Sequence, residues 1–263
     1  MNLRLVPLLL VLSLAACSKS EAPAATGDGP AANAPAAATA NANTPPPPPP
    51  GVDDASAAVV ANAAKIAAGS PPPVEGVDYA TIPNGQPFDP ANGQVEVVEV
   101  FGYVCPGCNM FQPTMRAWEA KLPANVRLTY VPAQFGGPWD RYARAYYAAD
   151  SMGLVPRTHD LLYNAIHLEQ TLKGERGEDS VQDIAAFYAR FGVDPQQFAS
   201  TMSSFAIDGK LRKAKQFATR SAIEGTPTLI VDGKYRILGK TREDQIRILD
   251  QLVAQEQAAL GAK

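Results

Sequence analysis

"VEVVEVFGYVCPGCNM", residues 95–110, sets two of the chain's three cysteines three positions apart, directly after a nearly unbroken apolar run. The run from Val95 to Phe101 has the pattern of a strand covered on both faces. Cys105 and Pro106 then open a helical segment. Proline suits the first helical position, where its missing N–H is no loss, so Cys105 is expected at the N-cap or beside it. Phe111, Met115, Trp118 and Leu122 follow at spacings of 4, 3 and 4, which is one apolar stripe along a helix. In "NVRLTYV" (125–131), Val126, Leu128 and Tyr130 alternate with Arg127 and Thr129, the pattern of a second strand. Strand, helix and strand at this spacing form a βαβ unit with a right-handed crossover.

Four chemistries can use such a cysteine pair. A zinc site needs four ligands, or three and a water. Besides the pair and carboxylates, the chain offers only His159 and His167, and no second cysteine pair, so no metal is expected. A Cys-His hydrolase needs an imidazole at the thiol, and both histidines fit as ordinary helix residues. A static disulfide closing so small a loop constrains the unfolded chain very little. The remaining use is a bridge made to be broken and remade. Free N–H groups and the helix dipole at an N-terminus favour a thiolate. Cys105 is therefore expected to be the exposed nucleophile of low pKa. Cys108, one turn further in, is expected to face the core as the resolving thiol.

The start of the chain, "MNLRLVPLLLVLSLAAC", has a short basic region at Arg4 and an apolar stretch from Leu5 to Leu14. That stretch is too short to span a bilayer and has the form of an export signal over residues 1–16. The sequence Leu14-Ala15-Ala16-Cys17 resembles the lipobox of bacterial lipoproteins, which implies that Cys17 is lipidated and becomes the first mature residue. Ser18 after it is compatible with transfer to the outer membrane. An exported protein meets an oxidising compartment, and with Cys17 acylated, Cys105 and Cys108 are each other's only partners.

Residues 17–73 are dominated by Ala, Pro, Gly, Asn and Ser, with six consecutive prolines at 45–50. Such a segment cannot bury enough apolar surface to offset its ordering entropy. It is expected to be a disordered tether, with at most a weak helix near 55–68, reaching on the order of 40 Å. From Trp139 to Ser221 the period becomes helical, with Ser180 and Asp194-Pro195 as helix starts. "TPTLIVDGKYRIL" (226–238) returns to strand with a hairpin signal at Asp232-Gly233. A last amphipathic helix follows Thr241. The net charge of −3 gives no electrostatic reason to expect nucleic acid. The basic run Lys210, Arg212, Lys213 and Lys215 has the character of a solvated helix face.

The combination of "EVFGYVCPGCNMF" with the later "GTPTLIVDG" resembles the thioredoxin superfamily, specifically the DsbA-type thiol oxidoreductases, over roughly residues 75–263. The resemblance implies an α/β chain with a thioredoxin fold, βαβ and ββα, interrupted by an all-helical domain. Residues 74–137 and 216–263 would form the thioredoxin-like domain and 138–215 the helical insertion. It implies a cis Pro227 facing the cysteines, with the Thr226 backbone pairing an extended substrate. It also implies that Glu99 is buried below Cys108 and moves its proton. The best-known members carry Pro-His between the cysteines. Here Pro106-Gly107 supplies no imidazole donor, so an oxidant of intermediate strength is expected.

The implied function is a periplasmic enzyme, without cofactor, that introduces disulfides into exported proteins with free thiols. It would work as a monomer, lipid-anchored to the outer membrane, and a DsbB-like quinone-linked membrane partner would re-oxidise it. Two alternatives stay open. One is a reductase or isomerase fed by a DsbD-like donor, although the expected low-complexity N-terminus is unlike an isomerase's dimerisation domain. The other is a tethered peptide-binding chaperone.

Overall fold

The computed structural model describes residues 53–261. The expected signal segment, Cys17 and the linker through residue 52 lie outside the described residues. In chain order the first elements are α1 (Asp54–Gly69), β1 (Tyr79–Thr81), β2 (Val95–Phe101), α2 (Pro106–Glu119) and β3 (Val126–Pro132). A helical block follows: α3 (Pro138–Ser151), α4 (Val155–His167), α5 (Val181–Ala189), α6 (Pro195–Met202) and α7 (Phe205–Arg220). The chain closes with β4 (Thr228–Val231), β5 (Tyr235–Ile237) and α8 (Arg242–Gly261).

The strands form one sheet in the order β1-β5-β4-β2-β3. Only β2 and β3 run parallel, joined by α2; β4 and β5 are antiparallel neighbours on the other side of β2. This is βαβ followed by ββα, with α3–α7 between the halves. Asp232 and Gly233, at φ 51° and 65°, close the β4–β5 hairpin, and both values suit a two-residue turn of inverted hand. Gly233 is required twice over, because a Cβ there would overlap the Gln86 carbonyl.

The central strand β2 is buried along its whole length, and its alternating residues face two different cores. Val98 and Val100 join Tyr142, Leu162, Tyr163, Ile184 and Phe217 in the core shared with the helical block. Val95 and Val97 join Met115, Trp118, Leu249 and Leu252 in the core under α2 and α8.

Local signals explain the helix starts. Ser180 and Asp183 form a capping box on α5, Asp194 caps α6 through the Gln197 N–H at 2.8 Å, and Thr241 caps α8 through the Asp244 N–H at 3.1 Å.

Several expectations are corrected. The tether does not run to residue 73, because α1 is capped by Asp53 and docks with Val60 and Ala63 buried in the α2–α8 core. Alanine favours helix, and these short side chains let α1 lie close against α8, which polar-linker composition hides. The helical block does not end at 215, since α7 is continuous to Arg220 and a boundary there would cut one helix. The segment 194–204 is not one helix to its end: Ser204 already caps α7. On β3, Arg127 and Thr129 hydrogen-bond the buried Glu96 at 3.1 and 2.9 Å. The basic run lies on an outward face as expected: Arg212, Lys213 and Lys215 are exposed, and Lys210 and Lys213 make surface ion pairs, with Asp150 at 2.6 Å and with Asp89. The short edge strand β1 was not foreseen. Among the described residues, no helix is long and apolar enough to cross a membrane.

Candidate active site

Cys105 stands where β2 gives way to α2. Its N–H closes a turn on the Gly102 carbonyl at 3.0 Å, and its backbone is extended, at φ −77° and ψ 115°. It is the N-cap of α2, with its Sγ accepting the Cys108 N–H at 3.2 Å and Pro106 opening the helix. A sulfur thus occupies the place where a capping oxygen satisfies an orphan N–H. The environment favours charge on that sulfur. The Cys105 thiol is brought down to about 6, first by a hydrogen bond from the Cys108 thiol, then, against the opposing effect of burial, by the neighbouring Thr226 and the N–H groups of Cys108 and Gly107. Cys108 shifts the opposite way, well above an ordinary thiol, chiefly because burial penalises its charged form. Cys108 is fully covered and Cys105 only 6% exposed, so the expectation of an openly exposed nucleophile is corrected to a nearly covered one. Both cysteines are free thiols in this structure.

The antiparallel register of β2 and β4 sets Val100 opposite Thr228, which carries the preceding residues to the same end of the sheet as Cys105. The Thr226–Pro227 peptide bond is cis. The Thr226 carbonyl lies 3.4 Å from Cys105 Sγ and accepts its proton's hydrogen bond when the thiol is protonated. Gly107 faces the same point: a Cβ built on it would lie 3.5 Å from Pro227 Cδ. Cys105, Pro106, Gly107, Cys108, Thr226 and Pro227 therefore meet in one place.

Two glutamates of β2 are fully buried and have opposite fates. Glu96, on the face of Val98 and Val100, accepts the Phe88 N–H at 2.5 Å, the Thr129 hydroxyl at 2.9 Å and Arg127 at 3.1 Å. It pins the loop before β2 and was missed in the sequence, where alternation alone cannot tell which polar residues face inward. Glu99, on the opposite face, has no hydrogen-bond partner for either oxygen. Burial, then the negative charges of Cys105 and Glu119, push its carboxyl up to about 8, so it is protonated at neutral pH. Its charge in turn contributes to the rise at Cys108. A proton-carrying group therefore lies within electrostatic reach of both sulfurs.

The histidines were also read only as helix residues. Both sit on α4 and contact the turn before Cys105: His159 Nδ1 shares a hydrogen bond with the Tyr103 hydroxyl, and His167 Nε2 donates to the Tyr103 carbonyl. Neither contact brings an imidazole to the thiolate as a hydrolase would need. Among the described residues no cluster of side chains could hold a metal ion. The arrangement suits thiol–disulfide exchange: one stabilised thiolate, one buried thiol and one neutral acid.

Comparison with known proteins agrees with this geometry. A family model described as a DSBA-like thioredoxin domain matches residues 96–249. The thiol:disulfide interchange protein DsbA of Pseudomonas syringae pv. tomato is 36% identical over 211 residues, spanning 79% of this chain and 96% of that protein. DsbA of Pseudomonas aeruginosa PAO1 is 38% identical over 181 residues, spanning 68% and 81%. The crystal structure of the oxidoreductase DsbA from Xylella fastidiosa superposes with a TM-score of 0.69 at 42% identity, over 71% of this chain and 98% of that one.

Proposed function

The chain belongs to the DSBA-like thioredoxin-domain family, and from that premise we propose how its site works. It is a thiol:disulfide oxidoreductase, a periplasmic interchange protein that introduces disulfides into other proteins. The working cycle starts from a Cys105–Cys108 disulfide. A substrate thiolate attacks the Cys105 sulfur, a substrate–Cys105 bond forms, and the old S–S bond breaks with its electron pair leaving on Cys108. The buried Cys108 sulfur disfavours charge and takes a proton from Glu99, which solvent then replenishes. A second substrate thiol loses its proton and attacks the substrate sulfur of the mixed disulfide, and Cys105 leaves as thiolate. Two electrons have passed to the pair; Cys108 keeps one proton and water takes the other. A thiol of low pKa is a good leaving group and makes the reduced pair the favoured one.

What supports this reading is the opposed acid strength of the two sulfurs, Cys105 lowered to about 6 and Cys108 raised. The Thr226 backbone beside Pro227 pairs with an extended substrate segment as an added strand. Re-oxidation falls to a DsbB-like quinone-linked membrane partner. The protein acts as a monomer, held on the outer membrane through lipid on Cys17. Oxidation of a reduced client protein tests the chemistry: Cys105→Ser abolishes it, and a Cys105→Ser variant as active as wild type refutes it. Fractionation tests the anchor: Cys17→Ser releases the protein from membranes, and an unmodified Cys17 in the mature wild-type chain removes the lipid from the account.

A further inference from the structure

The chain has two histidines, and both hydrogen-bond the same residue, Tyr103, two positions before Cys105. His159 Nδ1 and the Tyr103 hydroxyl are 2.8 Å apart, and His167 Nε2 and the Tyr103 carbonyl 2.7 Å. A carbonyl only accepts, so His167 carries its proton on Nε2. Burial lowers the pKa of both rings, His159 to about 3, so both are neutral at neutral pH. The Tyr103 ring itself is 1% exposed and wedged edge-on between Phe101 and Tyr163, with centroids 5.2 and 5.1 Å away. One residue is thus held at its ring, its hydroxyl and its carbonyl.

Tyr103 lies inside the turn that aims the nucleophile. The Ala133 N–H donates to the Phe101 carbonyl at 2.7 Å, beyond which the chain leaves the sheet. Three residues after Tyr103 the chain is already helical. The Tyr103 carbonyl falls between the two hydrogen-bonding systems, and His167 supplies its donor. A buried or half-buried carbonyl without a donor seeks another and moves the backbone to find it. Here that backbone sets the Cys105 sulfur against the Cys108 N–H at 3.2 Å.

Resting on the disulfide-exchange reading of this site, we infer that His159 and His167 form a two-point clamp on Tyr103. His167 is then a positioning residue for the redox turn: its Nε2–H fixes the Tyr103 carbonyl and, through it, holds the Cys105 sulfur at the start of α2. Because both histidines belong to α4, the clamp also ties the redox turn to the helical insertion. Asp160 on the same helix reinforces the tie, accepting from Gln112 of α2 at 3.0 Å and lying 3.4 Å from Arg116.

The test is a series at one position. His167→Leu removes the donor, His167→Gln keeps an amide N–H near the place of Nε2, and His167→Asn keeps one too short to reach. Each variant and the wild type are equilibrated with glutathione, and the Cys105 thiolate is titrated by its ultraviolet absorbance. His167→Leu and His167→Asn raise the Cys105 titration midpoint and move the equilibrium roughly threefold to tenfold toward the disulfide, the size of one hydrogen bond. His167→Gln returns both toward wild type. Equal shifts in all three, or none, overturn the clamp. A nitrogen-15 spectrum of the wild type reads it without mutation: an Nε2–H His167 tautomer is expected, and an Nδ1–H tautomer refutes it. A wild type that oxidises no client protein refutes the exchange reading instead, whatever the series does.

Discussion

Gly107 faces the sulfur of Cys105: a Cβ built on it would lie 3.6 Å from Cys105 Sγ and 3.7 Å from the Thr226 carbonyl, at ordinary contact distance. A Cβ at this position fits at ordinary van der Waals distance from the Cys105 sulfur. Gly107→His therefore adds a side-chain donor at a position that now offers the sulfur only its backbone N–H. The expected result is a Cys105 midpoint below its present value of about 6. Each unit of lowering favours the reduced pair by up to about tenfold. Thiolate absorbance against pH, with the glutathione equilibrium, checks both; an unmoved midpoint means that another group sets the potential.

Cys108 is the largest single cause of the low Cys105 pKa. Cys108→Ala should raise the Cys105 midpoint toward that of an ordinary thiol. It should also trap mixed disulfides with clients, because the resolving thiol is gone. The pH dependence of iodoacetamide labelling reads the first effect, and non-reducing gels the second. In the reduced wild type Cys105 should label far faster than Cys108, and the opposite order would reverse their roles.

Glu99 gives a stability signature with a definite sign. Its folded-state carboxyl titrates at about 8 against an ordinary 4.5. Below both values the two states are protonated and no penalty exists. As pH rises between them the unfolded chain ionises first and is favoured, so stability falls, and above both the full penalty remains. The cost is about 3 kcal/mol at pH 7 and about 5 kcal/mol above pH 8, as order-of-magnitude upper bounds. Glu99→Gln should be neutral near pH 4, stabilising at pH 7 and more so at pH 9, while slowing turnover. Denaturant titrations at the three pH values check it, and a stability gain that does not grow with pH contradicts it.

The docking of α1 rests on few side chains. Val60 is 2% exposed in the core under α2 and α8. Val60→Asp should undock the helix and cost about 2–4 kcal/mol, leaving the glutathione equilibrium unchanged because α1 packs beside α8 and the later part of α2. Amide exchange confined to α1 is the readout. Unaltered exchange there would show that the helix is not held by this contact.

The parts of this molecule that were legible in its sequence are those built from neighbours. The apolar β2, the proline after Cys105 and the stripe Phe111, Met115 and Trp118 all lie within one βαβ unit, and each carries its own period or cap; Leu122, expected on the same stripe, falls beyond the end of α2 at Glu119. The Asp232-Gly233 turn is equally local. What was hidden depends on distant contacts. His159 and His167 meet Tyr103 across 56 and 64 residues, and nothing in the helical pattern of α4 marks them. Glu96 and Glu99 differ by three positions on one strand, and only the three-dimensional surroundings make one a paired anchor and the other a protonated acid. The helix α1 is alanine-rich, so its buried face scarcely differs in hydropathy from its exposed one. The short strand β1 offers three residues to a pattern that needs more.

The central claim is that the Cys105–Cys108 pair passes its disulfide to a client. The most direct measurement mixes the oxidised protein with an equimolar reduced client carrying two thiols and counts thiols on both by alkylation and mass spectrometry over time. The account predicts that each disulfide gained by the client is matched by one Cys105–Cys108 disulfide lost, with Cys105 transiently bonded to the client. A Cys105–Cys108 bond that stays intact while the client remains reduced would contradict it.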